Sequence, residues 1–318
     1  KEFDTETVKK ALKEVGIAEA RIFDRSAPER AEQELKRQYI TRGKYAATVQ
    51  TTVTPQERNR VAINFTIVEG ETANIARINL VGTKAFTERQ LRSEMQLSTP
   101  NWLSWYTKDD QYSKQKLGAD LEALRSFYQN RGYLEFQIES TQVSISPDKE
   151  EVFLTINVSE GPRYTVSTIA IAGDLVVAEP ELRRLIVVKP GDTFSRAQMQ
   201  ASVKALSERL GIDGYAFANI NAVPELDKTN NTVGFTFYVD AGRRAYVRKI
   251  NISGNPKTRD EVIRRELRQL EGAWYDGTRI ERSKVRVRRL GYFEEGSVNV
   301  ETPPVPGTTD QVDLEVTV

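Results

Sequence analysis

The sequence contains no cysteine and no histidine, and only two methionines and three tryptophans in 318 residues. Without thiols there are no disulfides, thiolate zinc sites or cysteine nucleophiles, and the chain suits an oxidising or a reducing compartment equally. Without imidazole, the usual general base, the Ser–His pair and the commonest metal ligand are gone. Neither a Walker A nor a G-x-G-x-x-G pattern occurs, which leaves a carboxylate pair as the remaining acid–base device. The acidic residues are scattered over helix faces and turns, so no enzyme is expected and no cofactor is implied. Long apolar runs are missing too. Leu185-Ile186-Val187-Val188 falls far short of the ~20 residues that a membrane helix requires. No leader segment opens the chain, so it is expected to be a mature or excised piece of something longer.

What the chain does have is charge, unevenly spread. The 46 Lys/Arg and 45 Asp/Glu nearly cancel, yet Arg243–Phe293 holds 15 basic residues against 6 acidic ones. That excess of +9, set against the total of +1, leaves about −8 on the remainder. At ~100–200 residues per domain the length suggests two or three domains. Internal repeats overturn that prior.

Three segments end alike: Val61-Ala-Ile-Asn-Phe-Thr-Ile-Val-Glu-Gly70, Val152-Phe-Leu-Thr-Ile-Asn-Val-Ser-Glu-Gly161 and Val233-Gly-Phe-Thr-Phe-Tyr-Val-Asp-Ala-Gly242. A fourth, Val312-Asp-Leu-Glu-Val-Thr-Val318, matches until the chain stops. Alternation and β-branched content make these strands. Another alternating strand with a turn glycine follows each closing Gly, at Ile78–Gly82, Ile169–Gly173 and Ile250–Gly254. Helix starts come next. Thr87–Gln90 and Thr258–Glu261 read as capping boxes, and Pro180 suits a first turn. Second helices are expected at the boxes Ser26–Glu29, Ser195–Gln198 and Thr278–Glu281, with an apolar stripe clearest at Leu117, Leu121, Leu124 and Tyr128. Each of these helices runs into a glycine with a tyrosine one or two residues on (Gly43-Lys44-Tyr45, Gly132-Tyr133, Gly214-Tyr215, Gly291-Tyr292). One role explains every copy, a left-handed helix cap, so a ligand loop is not needed. Two strands close the unit, for example Leu134–Ile145 and Val152–Val158, joined by the turn Ser146-Pro147-Asp148.

The expected fold is therefore α+β: four tandem β-α-α-β-β units at 1–70, 71–161, 162–242 and 243–318, two helices on a three-stranded sheet. Lys1-Glu2-Phe3 aligns with Lys84-Ala85-Phe86, so the first unit lacks its opening strand. Short junctions such as Gly161-Pro162 predict an elongated string.

Units with these landmarks resemble POTRA (polypeptide-transport-associated) domains. Further runs extend the likeness: Gly43–Val61, Lys114-Gln-Lys-Leu117, Ser140-Thr-Gln-Val143 with Pro147-Asp-Lys149, Tyr246-Val-Arg-Lys-Ile250 and Arg268-Gln-Leu-Glu-Gly-Ala-Trp274. They are similar to the repeats of the central subunit that assembles outer-membrane β-barrels in Gram-negative bacteria. The resemblance implies that these are repeats two to five of five. It further implies a downstream membrane barrel absent from this chain, a periplasmic location tethered to the outer membrane, and a scaffold role. The implied partners are accessory lipoproteins of the assembly machine and unfolded outer-membrane protein precursors.

Three places could carry such contacts. A sheet edge can pair with an incoming extended chain through main-chain hydrogen bonds, which tolerates many client sequences. Arg131–Val143 is the edge candidate, with Phe136, Ile138 and Ser140 alternating along it and Glu139 and Gln142 completing the set. Glu135 and Glu139 could equally protect an ordinary edge, and the residues leave both readings open; the resemblance implies pairing. In the basic unit, Arg259, Arg264, Arg265 and Arg268 lie along an expected helix, with Glu271 and Trp274 beyond. That is a solvated charged helix or a docking face of Arg forks. The resemblance implies lipoprotein docking there through Arg264, Arg265, Arg268, Glu271 and Trp274. Finally, Trp102, Trp105 and Tyr106 crowd one loop, suited to packing over their own helices or to an interface. Nucleic acid is not an expected partner, since the basic excess is confined to one unit and no RNP, KH or zinc pattern accompanies it. Other machines that share the module stay open on composition: a two-partner secretion pore, an organelle importer or a division scaffold.

Overall fold

A computed structural model describes residues 3–18, 21–58, 60–100, 110–294 and 296–318. The chain divides into two compact units, Lys1–Gln129 with Glu135–Gly161, and Asn130–Leu134 with Pro162–Val318. The first unit carries helices α1 (Thr5–Glu14), α2 (Ala27–Thr41), α3 (Glu88–Arg92) and α4 (Lys114–Gln129). Its strands are β1 (Thr48–Gln56), β2 (Arg60–Val68), β3 (Asn74–Val81), β4 (Gln137–Ile145) and β5 (Glu151–Ser159). The second unit holds β6 (Thr165–Gly173), α5 (Glu179–Leu185), α6 (Arg196–Ile212), β7 (Asn219–Asp227) and β8 (Thr232–Asp240). A last set follows: β9 (Tyr246–Ser253), α7 (Asp260–Arg264), α8 (Gly277–Arg288), β10 (Asn299–Glu301) and β11 (Gln311–Thr317).

The β-α-α-β-β order recurs, and the sheets share one topology: β3-β5-β4, β6-β8-β7 and β9-β11-β10. In each, the last strand of the repeat lies in the middle, parallel to the first and antiparallel to the one before it. That explains why the recurring strand endings alternate so regularly. Val152, Leu154, Ile156 and Val158 of β5 are buried, as are Val312, Leu314 and Val316 of β11. The first sheet has two strands only, β1 and β2. Phe3 meets Tyr39 edge-on at 5.0 Å, as Phe86 meets Tyr128 at 5.2 Å, which agrees with the aligned positions of the two phenylalanines.

The Tyr and Glu of the repeated ending act together. The Tyr39 hydroxyl donates to Glu69 at 3.1 Å, and the Tyr128 hydroxyl donates to Glu160 at 2.8 Å. Glu160 also accepts from the Lys84 and Ala85 amides, closing the turn after β3. In the third repeat the tyrosine becomes Leu210 and the glutamate Ala241, both buried. The polar pair has been exchanged for an apolar one as a unit, since either half alone would leave a buried polar group without its partner.

The cap glycines are left-handed as expected. At Gly43 (φ 82°) and Gly214 (φ 97°) the next amide, of Lys44 or Tyr215, returns to the carbonyl five residues back (3.0 and 3.2 Å), a Schellman closure. The helix starts differ more. Thr87–Gln90 forms the full capping box, and Ser195 accepts from the Gln198 amide. Ser26 makes no cap bond because its hydroxyl is held by Asp24. Arg259, not Thr258, precedes α7. Asp276 caps α8 two residues ahead of the expected Thr278, a carboxylate being the stronger acceptor for the free helix amides. The strand expected from Leu134 begins at Gln137.

A second helix-to-helix tie recurs. A residue on the second helix accepts from the backbone just after the first: Asp120 from Gln96 and Leu97 (2.7 and 2.9 Å), Ser202 from Val187 (3.0 Å), Ser283 from Arg268 (2.7 Å). All three acceptors are fully buried. Burial pushes the Asp120 carboxyl above its ordinary value, against the opposing pull of the two amides.

Candidate functional site

Each three-stranded sheet has two edges, and they are treated differently. The edge formed by the first strand is sealed. The segment leading into the second helix pairs with the start of that strand: Ile75 donates to Asp110 (2.8 Å), Val166 to Asp192 (2.8 Å) and Val247 to Ala273 (3.0 Å). Farther along, a guanidinium covers a strand carbonyl. Arg92 donates to Ile78, Arg183 to Ile169 at 3.1 Å and Arg264 to Ile250 at 3.2 Å. Each arginine is anchored by the acid four residues earlier, Glu88, Glu179 or Asp260. This acid-x-x-x-Arg pattern recurs in the sequence at one place in three repeats and is the signal by which these edge caps could have been found.

The opposite edges are β4, β7 and β10, with β1 in the two-stranded sheet. Three of them are blunted. Pro55 lies in β1 and Pro224 in β7, while β10 has three residues and runs into Pro303-Pro304. Proline has no N–H to offer an incoming strand. β4 has nine residues, no proline and no Lys or Arg, and among the described residues no other segment pairs with its outer side.

The residues expected along this edge sort differently from simple alternation. Phe136 precedes the strand and is 3% exposed, its ring stacked on Tyr128 at 4.1 Å, so its side chain belongs to the core. Ile138 lies opposite Val158 but Ser140 lies opposite Asn157, so Glu139 is an extra residue in a bulge. The bulge reverses the parity. Ile138, Thr141, Val143 and Ile145 share the inner face, while Ser140 and Gln142 are on the outer one, where Asn157 donates to Ser140 at 2.7 Å. The Ser146 amide donates to Glu151 at 3.0 Å, which makes that a hydrogen-bonded pair. By antiparallel alternation Thr141, Val143 and Ile145 then turn their N–H and C=O groups away from β5, toward the open side.

The expected docking residues are split between places. Glu271 accepts from the Ile250 amide at 2.7 Å and lies 3.4 Å from Arg264. Both backbone groups of Ile250 are thus held by side chains, and those side chains face each other. Buried Gln269 braces the loop that presents Glu271, bonding the Trp274 carbonyl (2.9 Å) and the Asp276 amide (3.1 Å). Trp274, 46% exposed, stacks on Tyr246 at 3.8 Å, with Arg244 5.7 Å from its ring. Arg265 pairs with Glu266 at 3.6 Å. Arg268 faces α8 instead. The Trp102, Trp105 and Tyr106 loop lies outside the described residues. No helix among the described residues is long and apolar enough to cross a membrane.

Comparison with known proteins gives this repeat a family. The family model described as POTRA, surface antigen variable number repeat, matches residues 1–70, 73–161, 164–242 and 245–318. The chain is 38% identical over 317 residues to the outer membrane protein assembly factor BamA of Neisseria meningitidis serogroup B, covering 99% of this chain and 40% of that protein. It is 27% identical to BamA of Buchnera aphidicola, over 89% of this chain and 46% of the relative. The chain thus spans less than half the length of these two curated relatives. The crystal structure of Haemophilus influenzae BamA POTRA3-5 is similar with a TM-score of 0.67 at 32% identity, covering 77% of this chain and 96% of that one. With a family model matching every repeat and a solved array of the same module superposing on most of it, the chain belongs to the POTRA family.

Proposed function

We propose that this chain is the periplasmic scaffold of an outer-membrane β-barrel assembly factor, corresponding to repeats two to five, with the units at 1–70, 71–161, 162–242 and 243–318. In this reading a membrane barrel follows it, and the chain binds protein segments and catalyses nothing. Unfolded outer-membrane precursors add as an extra strand along β4. Accessory lipoproteins dock on the last repeat through Arg264, Arg265, Arg268, Glu271 and Trp274. The two BamA relatives, which are named as assembly factors, support the setting.

The observation that carries the client-binding reading is the β4 edge: full length, free of proline and, among the described residues, uncovered, where the other edges of its kind are blunted. Strand addition takes its affinity from main-chain bonds, so it suits a carrier that meets many sequences. A labelled ten-residue peptide alternating apolar and polar side chains, as barrel strands do, serves as probe. Val143→Pro removes an N–H turned to the open side and should weaken peptide binding at least about tenfold with the fold intact. Gln142→Pro removes an inward N–H from the ladder and should destabilise the sheet instead. Peptide binding unchanged in Val143→Pro would overturn the assignment of this edge. For the docking face, Glu271→Lys should abolish co-purification with the lipoprotein while the circular dichroism stays the same.

A further inference from the structure

The basic excess of the last repeat is not used up by the docking residues. Helix α8 places Arg279, Arg282 and Arg286 at steps of three and four, and Arg289 follows one residue past its end. Residues so spaced share one side of a helix. The adjoining face, Ile280, Ser283 and Val287, is buried in the core. Together with Arg268, which arrives from beyond α7, these four arginines line a groove of about 640 Å³. Arg279 is paired with Asp276 (3.2 Å) and Arg286 with Glu266 (2.6 Å). Arg268, Arg282 and Arg289 are exposed and make no ion pair among the described residues. Three guanidiniums with no acidic partner therefore open onto one concave surface.

We infer that this groove seats an acidic helix of a protein partner, with carboxylates three to four and seven residues apart. Arg282 and Arg289 are seven residues apart, about 10.5 Å along a helix axis, the same rise that separates such carboxylates on a helix lying alongside. The guanidinium fork matches a carboxylate bidentately. Concavity favours a convex cylinder over a flat layer of lipid headgroups. Glu281 and Val285 lie within the same lining. One carboxylate and one apolar contact among the arginines suit a mixed protein surface better than a uniform polyanion. The inference rests on the proposed docking role only in sharing Arg268; its other residues lie on α8.

The test uses the full chain and a synthetic 21-residue helical peptide bearing Glu at i, i+4, i+7 and i+11, followed by fluorescence anisotropy at low and physiological salt. The striped peptide should bind. The double variant Arg282→Glu/Arg289→Glu should weaken it about tenfold or more, two lost pairs at the rim of a groove. Because both side chains are exposed, the variant should unfold at the same temperature as the parent. Glu271→Gln should leave peptide binding unchanged, which separates this surface from the docking reading. Equal binding of a peptide of the same composition with scattered glutamates would overturn the inference in favour of unspecific charge. So would unchanged affinity in the double variant. Preferential binding to phosphatidylglycerol vesicles, lost in that same variant, would overturn it in favour of a membrane surface.

Discussion

Glu271 is placed so that its charge and its hydrogen bond can be tested apart. Its carboxylate takes the Ile250 amide at 2.7 Å, on a strand residue only 4% exposed. Glu271→Ala leaves that donor without its acceptor, a loss of about 1–3 kcal/mol when no replacement reaches it. Water can approach, because the Glu271 side chain is 47% exposed, so the lower half of that range is expected. The accompanying ion pair with Arg264 spans 3.4 Å between two side chains nearly half in solvent and adds no more than a few tenths of a kcal/mol after screening. Glu271→Gln keeps an oxygen for the amide and loses only the charge. Native-state hydrogen exchange at Ile250 reads the difference directly. A loss of about 1.4 kcal/mol is a tenfold faster exchange in Glu271→Ala, while Glu271→Gln should stay within about threefold of the parent. Equal acceleration in both variants would refute the reasoning, since the charge and not the captured amide would then hold the edge. The comparison also supplies the cleaner docking variant: Glu271→Gln tests a partner's need for charge without disturbing β9.

Three further outcomes are expected. A methyl group at Gly173 (φ 98°) would sit 2.2 Å from the Val239 carbonyl oxygen, so Gly173→Ala should cost at least about 2 kcal/mol in denaturant unfolding. Phe136→Ala should cost about 3–5 kcal/mol by the same measurement, as a core deletion does, whereas Gln142→Ala on the outer face should stay within about 0.5 kcal/mol. Asp120→Ser should be tolerated, since Ser202 and Ser283 fill that position in the next two repeats, while Asp120→Val should lose about 1–3 kcal/mol for each amide orphaned. The serine variant also has a pH signature. A carboxyl raised by burial binds its proton more tightly folded than unfolded, so its contribution is full below the ordinary value of 3.8 and is lost as pH rises through the raised one. Asp120→Ser should therefore gain on the parent between pH 3 and pH 7 in urea melts, and a constant difference would refute the assignment.

Much of the architecture was legible because the repeats report on one another. A middle strand buried along one side must alternate, and β5, β8 and β11 announce themselves by it. Left-handed glycines were equally plain, since no other residue replaces them without strain. Local competition was harder to read. Asp276 outbids Thr278 for the free amides of α8, and Asp24 takes the hydroxyl that Ser26 would have used as a cap. The bulge at Glu139 leaves no mark in a run of polar residues, yet it decides which side chains along β4 face outward. That β4 forms an edge depends on β3 pairing in parallel with β5, more than 70 positions away, which no local pattern encodes. The meeting of Arg264, Glu271 and Ile250 joins three elements by side chains and was hidden for the same reason.

The seal along β3, β6 and β9 is made of two materials, and they yield at different speeds. Where main chain pairs with main chain, exposing the strand requires the segment before the second helix to peel away, a local unfolding event of microseconds to seconds. Where Arg92, Arg183 or Arg264 covers a carbonyl, side-chain rotations are enough (of Glu271 as well at Ile250), and exposed side chains such as Arg183 and Arg264 turn over in picoseconds to nanoseconds. A passing extended segment could therefore sample the far half of each such strand many times in the interval that the near half stays shut. Along β4 no shutter of either kind is found among the described residues.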